Sequence, residues 1–70
     1  MSKYEYYSFE QVDAGISPHK FAEDHYRGYK YRNKSLDRAF IIREAISYTK
    51  KNKHAIILQS YDGEYYLFVK

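Results

Sequence analysis

The clearest pattern in the chain lies at its end, where residues 55–70 carry two apolar runs, AIILQ and YYLFV, on either side of Asp62-Gly63. Asp-Gly supplies the positive φ angles of a two-residue type I′ turn, so the pattern predicts a β-hairpin. Such a turn sets the register: Tyr61 opposite Glu64, Gln59 opposite Tyr66 and Ile57 opposite Phe68 on one surface. On the other, Ser60 faces Tyr65, Leu58 faces Leu67 and Ile56 faces Val69. The second surface is the better core face. The first, with Ile57, Tyr61, Tyr66 and Phe68, is too aromatic for an ordinary solvated surface, and either the N-terminal segment or a symmetry mate covers it or it is a platform for stacking.

Upstream, the spacing predicts a helix from Ser35 to about Asn52. Ser35 stands at the cap, Asp37 in the first turn and Lys50 and Lys51 in the last, each placed favourably for the helix dipole. At about 100° per residue, Ala39, Ile42, Ala45, Ile46 and Thr49 form a stripe, flanked by Ile41 and Tyr48, that should cover the sheet. Leu36 and Phe40 fall on the side of Arg43, Glu44 and Ser47. Their cover is either the short helix and loop of the same chain or a second protein, a homodimer included.

The amino-terminal half is less regular. Residues 3–9 are aromatic with partial alternation and suit a strand, with Tyr7 and Phe9 on one side and Tyr4 and Tyr6 on the other. Glu10 to Ile16 reads as a loop, and Ser17-Pro18 opens a short helix through about Tyr26 that Gly28 ends. Gly28 to Lys34 alternates Tyr29 and Tyr31 against Lys30, Arg32 and Lys34, as an edge strand with basic residues outward or as an extended loop. The fold class expected is α+β: a small antiparallel sheet of the N-terminal strand and the C-terminal hairpin, with the main helix on one face and a short helix before it.

Length permits one domain, residues 1–70, with a slender margin, since a core this size rarely supplies more than about 3–5 kcal/mol net. The absence of cysteine removes disulfides and thiolate metal sites and points to an intracellular, cytoplasmic setting, the host's if the chain is phage-encoded. No stretch approaches the roughly 20 apolar residues of a membrane span, and the start carries no apolar leader, so a soluble, unprocessed protein with no membrane partner is expected.

Charge changes the picture most. The net charge of +3 is made of −3 over residues 1–25, +7 over 26–54 and −1 over 55–70. Nine of the twelve Lys and Arg lie in the central block, interleaved with some of the ten tyrosines. Phosphate contact is the natural use of the run Arg27, Lys30, Arg32 and Lys34, with Tyr29, Tyr31, Tyr61 and Tyr66 available for stacking. The same residues suit an acidic protein surface, or merely guard an exposed strand edge. Lys50, Lys51 and Lys53 with His54 form a second basic spot, which gains value only if it shares a plane with the first.

The histidines and carboxylates form no H-x-x-x-H, H-E-x-x-H or paired-carboxylate spacing, and there is no Gly-rich phosphate loop or nucleophile elbow. No enzyme activity, cofactor or metal is expected. Two classes remain: a protein-binding inhibitor or adaptor, such as a phage-type accessory product that blocks a host defence or nucleic-acid enzyme, with Phe40 joining an aromatic hot spot; and a nucleic-acid-binding module.

Overall fold

A computed structural model describes residues 7–70. The elements run β1 (Tyr7–Gln11), α1 (Pro18–His25), β2 (Lys30–Ser35), α2 (Arg38–Thr49), β3 (Ala55–Gln59) and β4 (Tyr65–Val69). The class is α+β, and the four strands form one sheet in the order β1-β3-β4-β2. It is mixed rather than wholly antiparallel: β4 pairs antiparallel with β3 and β2, whereas β1 lies parallel to β3, Tyr7 opposite Ala55 and Gln11 opposite Gln59. Of the aromatic segment expected as the first strand, Tyr4 and Tyr6 lie outside the described residues, and the strand continues past Phe9 to Gln11.

Both faces of the sheet are covered. On one, Ile41 and Ala45 of α2 are fully buried against Ala55, Ile57, Leu67 and Val69. On the other, Ala22 of α1 and Val12 pack on Ile56, Leu58 and Phe68. β3 is thereby buried on both sides, which is why Ala55-Ile56-Ile57-Leu58 is an unbroken apolar run instead of an alternation. The short helix, not a symmetry mate, covers the second face of the hairpin.

The hairpin register differs by one residue from the type I′ expectation. Gln59 pairs with Tyr65, Leu58 with Tyr66, Ile57 with Leu67 and Ile56 with Phe68. Gly63 donates to the Ser60 carbonyl at 3.0 Å and Ser60 to that of Glu64 at 2.8 Å, closing a three-residue loop. Gly63 has φ +96°, but Tyr61 and Asp62 do not share its positive φ, which a type I′ turn requires of both central residues. The Ser60 hydroxyl donates to the Asp62 carboxylate and accepts from the Glu64 amide, so side chains that sequence patterning does not weigh select the wider loop. A slip of one residue exchanges the faces: Ile57 lies with Leu67 under α2, and Ile56, Leu58, Tyr66 and Phe68 lie under α1.

Both helices start on capping side chains. Ser17 accepts from the Lys20 amide at 3.1 Å, with Pro18 in the first turn. In α2 the cap is Asp37, whose carboxylate accepts from Ala39 and Phe40, while the Ser35 hydroxyl accepts from Asp37 itself. The buried stripe centres on Ile41 and Ala45, with Ile42 and Tyr48 packed beside them, and Ala39 is exposed. The apolar arc is wide enough for either centre; Glu44, which accepts from the Asn33 amide at 3.0 Å, and half-buried Tyr48 draw the helix toward β2.

Candidate functional site

The topology gathers one end of the sheet. Lys30 lies opposite Val69, Val69 opposite Ala55, and Ala55 opposite Tyr7, so the starts of β1, β2 and β3 and the end of β4 share one border. The Lys70 amide extends this row by donating to the His54 carbonyl at 2.9 Å. α2 leaves the opposite end after β2 and returns to this one, carrying Lys50 and Lys51, and α1 likewise arrives with His25, Tyr26 and Arg27. Asn52 at φ +64° turns the chain from α2 toward β3, the Lys53 amide donating to the Tyr48 carbonyl. Arg27, Lys30, Lys50, Lys51, Lys53 and Lys70, six of the twelve Lys and Arg, therefore stand at one end. Among the described residues, the segments that build it, 7–8, 25–30, 49–55 and 69–70, contain no acidic residue.

Rings are set among these cations. The Lys70 ammonium lies 5.7 Å from the Tyr29 ring centroid, and Tyr48 carries the Arg32 guanidinium at 5.8 Å and the Lys51 ammonium at 5.9 Å. Tyr26 and Tyr29 meet edge to face at 5.5 Å. Tyr26 is anchored across the sheet: its hydroxyl donates to a Glu10 carboxylate oxygen at 2.6 Å, and this bond, assisted by burial, raises the phenol above its ordinary value. Two clefts open beside the pair. One, of about 570 Å³, is lined by Tyr26, Tyr29, Asn52, Lys53 and His54 together with Ser8 and other neighbours. The other, of about 730 Å³, lies between α1 and β2, with Arg27, Gly28, Tyr29 and Tyr31 on its walls and Glu23 on its rim.

The residues singled out in the sequence divide among three places. Arg27, Tyr29, Lys30, Lys50, Lys51 and Lys53 stand at the same end of the sheet, with Arg27 and Tyr29 on the α1 side and Lys30 and Lys51 on the α2 side. Lys34 leaves the row, whereas Arg32 stays beside Lys51 at the Tyr48 ring. The register of β2 shifts between Tyr31, opposite Phe68, and Asn33, opposite Leu67, making Arg32 an extra residue in a bulge. The expected alternation of Lys30, Arg32 and Lys34 on one face holds for the first two and is broken after the bulge: Lys30, opposite Val69, and Arg32, over Tyr48, are on the α2 side, while Lys34 lies over Tyr66 on the α1 side and pairs with Glu64 at 3.8 Å. Tyr31 and Tyr66 belong to a cluster in which the His19 ring meets Tyr31, Tyr66 and Phe68, each edge to face, so Tyr66 and Phe68 are not a free platform. Burial is the main cause of the raised Tyr66 phenol.

Phe40 and Tyr61 lie toward the far end, with Leu36; these three are 39%, 75% and 72% exposed. α1 covers the opposite face of the sheet and does not shield Leu36. The far end also holds Asp13, Asp37, Asp62 and Glu64 against Lys34 and Arg38. The Ser60 hydroxyl bond is the main cause holding Asp62 below its ordinary value. Sequence reasoning missed Tyr26, Tyr48 and Lys70; in hindsight the signal was their place at element boundaries, where strand order alone brings them beside Lys30 and Lys53.

Among the described residues, no group of three or more His, Asp or Glu is placed to hold a metal, and no helix is long and apolar enough to cross a membrane. A scan against family models, a search of curated proteins and a search of solved structures found no match to this chain.

Proposed function

We propose that the protein is a non-enzymatic binding module for nucleic acid, engaging phosphates with the basic end of its sheet. The observation that supports this reading is the convergence of Arg27, Lys53 and Lys70, from three separate segments, around Tyr26 and Tyr29. Cations spaced around half-buried aromatic rings that line open clefts match a ligand that alternates phosphate and base. An intracellular setting belongs to the same proposal.

Binding is tested by titrating labelled single- and double-stranded DNA and RNA at about 50 and 200 mM salt. Phosphate contacts release counterions, so affinity falls across that interval with a log-log slope of roughly −0.7 per contact on single strands. Absence of binding at the lower salt rejects the reading.

A second reading rests on the other end of the molecule. Exposed Leu36, Phe40 and Tyr61 suit a protein-binding inhibitor or adaptor, with large side chains as anchors. A partner that survives nuclease treatment of a lysate, and is lost on Phe40→Ser, supports that reading over the first.

A further inference from the structure

The basic end is not a flat face, and its shape bears on which nucleic acid it accepts. Tyr26 and Tyr29 stand between the two clefts and line both, with Lys53 and His54 on the side of one and Arg27 on the side of the other. The clefts are open to solvent along one side, and at about 570 and 730 Å³ each has room for a single base with its sugar laid against its wall. Both rings are half-buried and recessed between elements. A base inside a duplex is stacked on both sides and shows only its edge in a groove, so it does not reach a recessed ring; an unpaired base turns out of the strand and does. Gly28, at φ +94°, lines the larger cleft without a side chain of its own, and the Lys70 side chain passes 3.7 Å from where its Cβ would stand.

We infer that the basic end selects single-stranded nucleic acid, seating bases of neighbouring nucleotides in the two clefts on either side of Tyr29, while Lys53 and Arg27 hold the phosphates that flank them. This rests on the nucleic-acid reading above and narrows it. No sequence preference is implied, because every base presents a face to a ring and the cations address only the backbone.

The test compares, by fluorescence anisotropy, three labelled probes of equal length: an oligothymidylate of about 12 nucleotides, inside the 4–16 typical of stacking folds, an abasic strand and a hairpin duplex. The thymidylate should bind roughly 10-fold or more tighter than either of the others, since base stacking on aromatic rings commonly gives that much per base. Tyr29→Leu should remove most of the advantage over the abasic strand and leave the salt slope unchanged. The abasic probe makes the test independent of how that variant folds. Equal binding of all three probes, with loss of all three on Arg27→Glu with Lys53→Glu, overturns the single-strand inference and leaves phosphate binding standing. Failure of every probe at 50 mM salt overturns both.

Discussion

The Tyr26 hydroxyl donates to Glu10 across the edge of the sheet, tying the C-terminal cap of α1 to β1 over 16 residues of sequence. That bond fixes the ring between the two clefts and ties site geometry to fold stability. Because the phenol is raised above 10.0, the neutral hydroxyl is favoured in the folded state. The contribution is present in full below the unfolded value of 10.0 and is lost as pH rises through the folded one. Thermal melts should show wild-type stability falling above pH 10, and Tyr26→Phe should be less stable at neutral pH yet lose less on alkalinisation. A residual alkaline slope is expected in the variant from Tyr66, which is raised as well. Parallel curves for the two proteins would show that the bond does not contribute.

Gly63→Ala should cost around 1 kcal/mol. A Cβ at Gly63 meets nothing within 4 Å, so the cost is conformational, arising from φ +96° and not from a clash. Gly63→Asn should be milder, since Asn tolerates the left-handed region better than other side chains. Denaturation midpoints in urea, with an unchanged slope, measure both.

Ile41→Ala and Phe40→Ser separate core from surface on adjacent residues of α2. Ile41 is fully buried, and its truncation should cost about 2–5 kcal/mol, comparable to the whole stability of a domain this small. Phe40 is 39% exposed, and Phe40→Ser should leave the circular-dichroism melt nearly in place. A light-scattering mass measured beside it reports self-association: a wild-type dimer that becomes monomeric in the variant assigns the patch to a second copy of the chain.

Charge reversal should follow placement. Reversing Arg27, Lys30 and Lys53 to Glu should abolish oligonucleotide binding, because all three stand at one end. Lys34→Glu with Arg38→Glu removes two cations that stand toward the far end and should weaken binding much less, since Lys34 is engaged with Glu64 and Arg38 lies over Phe9. Equal losses from both sets would mean that net charge, not placement, governs the interaction. Glu23→Gln, which removes a negative charge from a cleft rim, should tighten binding slightly.

Much of this architecture was legible in the residues. Ser17-Pro18 and the long apolar arc located both helices, and the last apolar runs located the hairpin, because those signals are local. The register was not legible, since it turned on a hydrogen bond between Ser60 and Asp62 that competes with the turn preference of Asp-Gly. Parallel pairing of β1 with β3 was hidden for a related reason: the two strands are separated by both helices and β2, and nothing in Tyr7–Gln11 specifies its neighbour. At the site, the positive block was visible as a number, but its division was not. A single extra residue at Arg32 sends Lys34 to the opposite face, and the strand order brings Lys53 and Lys70 to the border from elsewhere.

The segregation of charge along the strands gives the molecule an electrical axis. Among the described residues, four carboxylates sit at one end against Lys20, Lys34 and Arg38, and six cations sit at the other. In the field of a polyanion such a body experiences a torque as well as a pull, and it turns its basic end forward before any atom touches. Collisions that begin in the wrong attitude are then corrected during approach, so that added salt, by shortening the reach of the field, should slow capture before it loosens what has been captured.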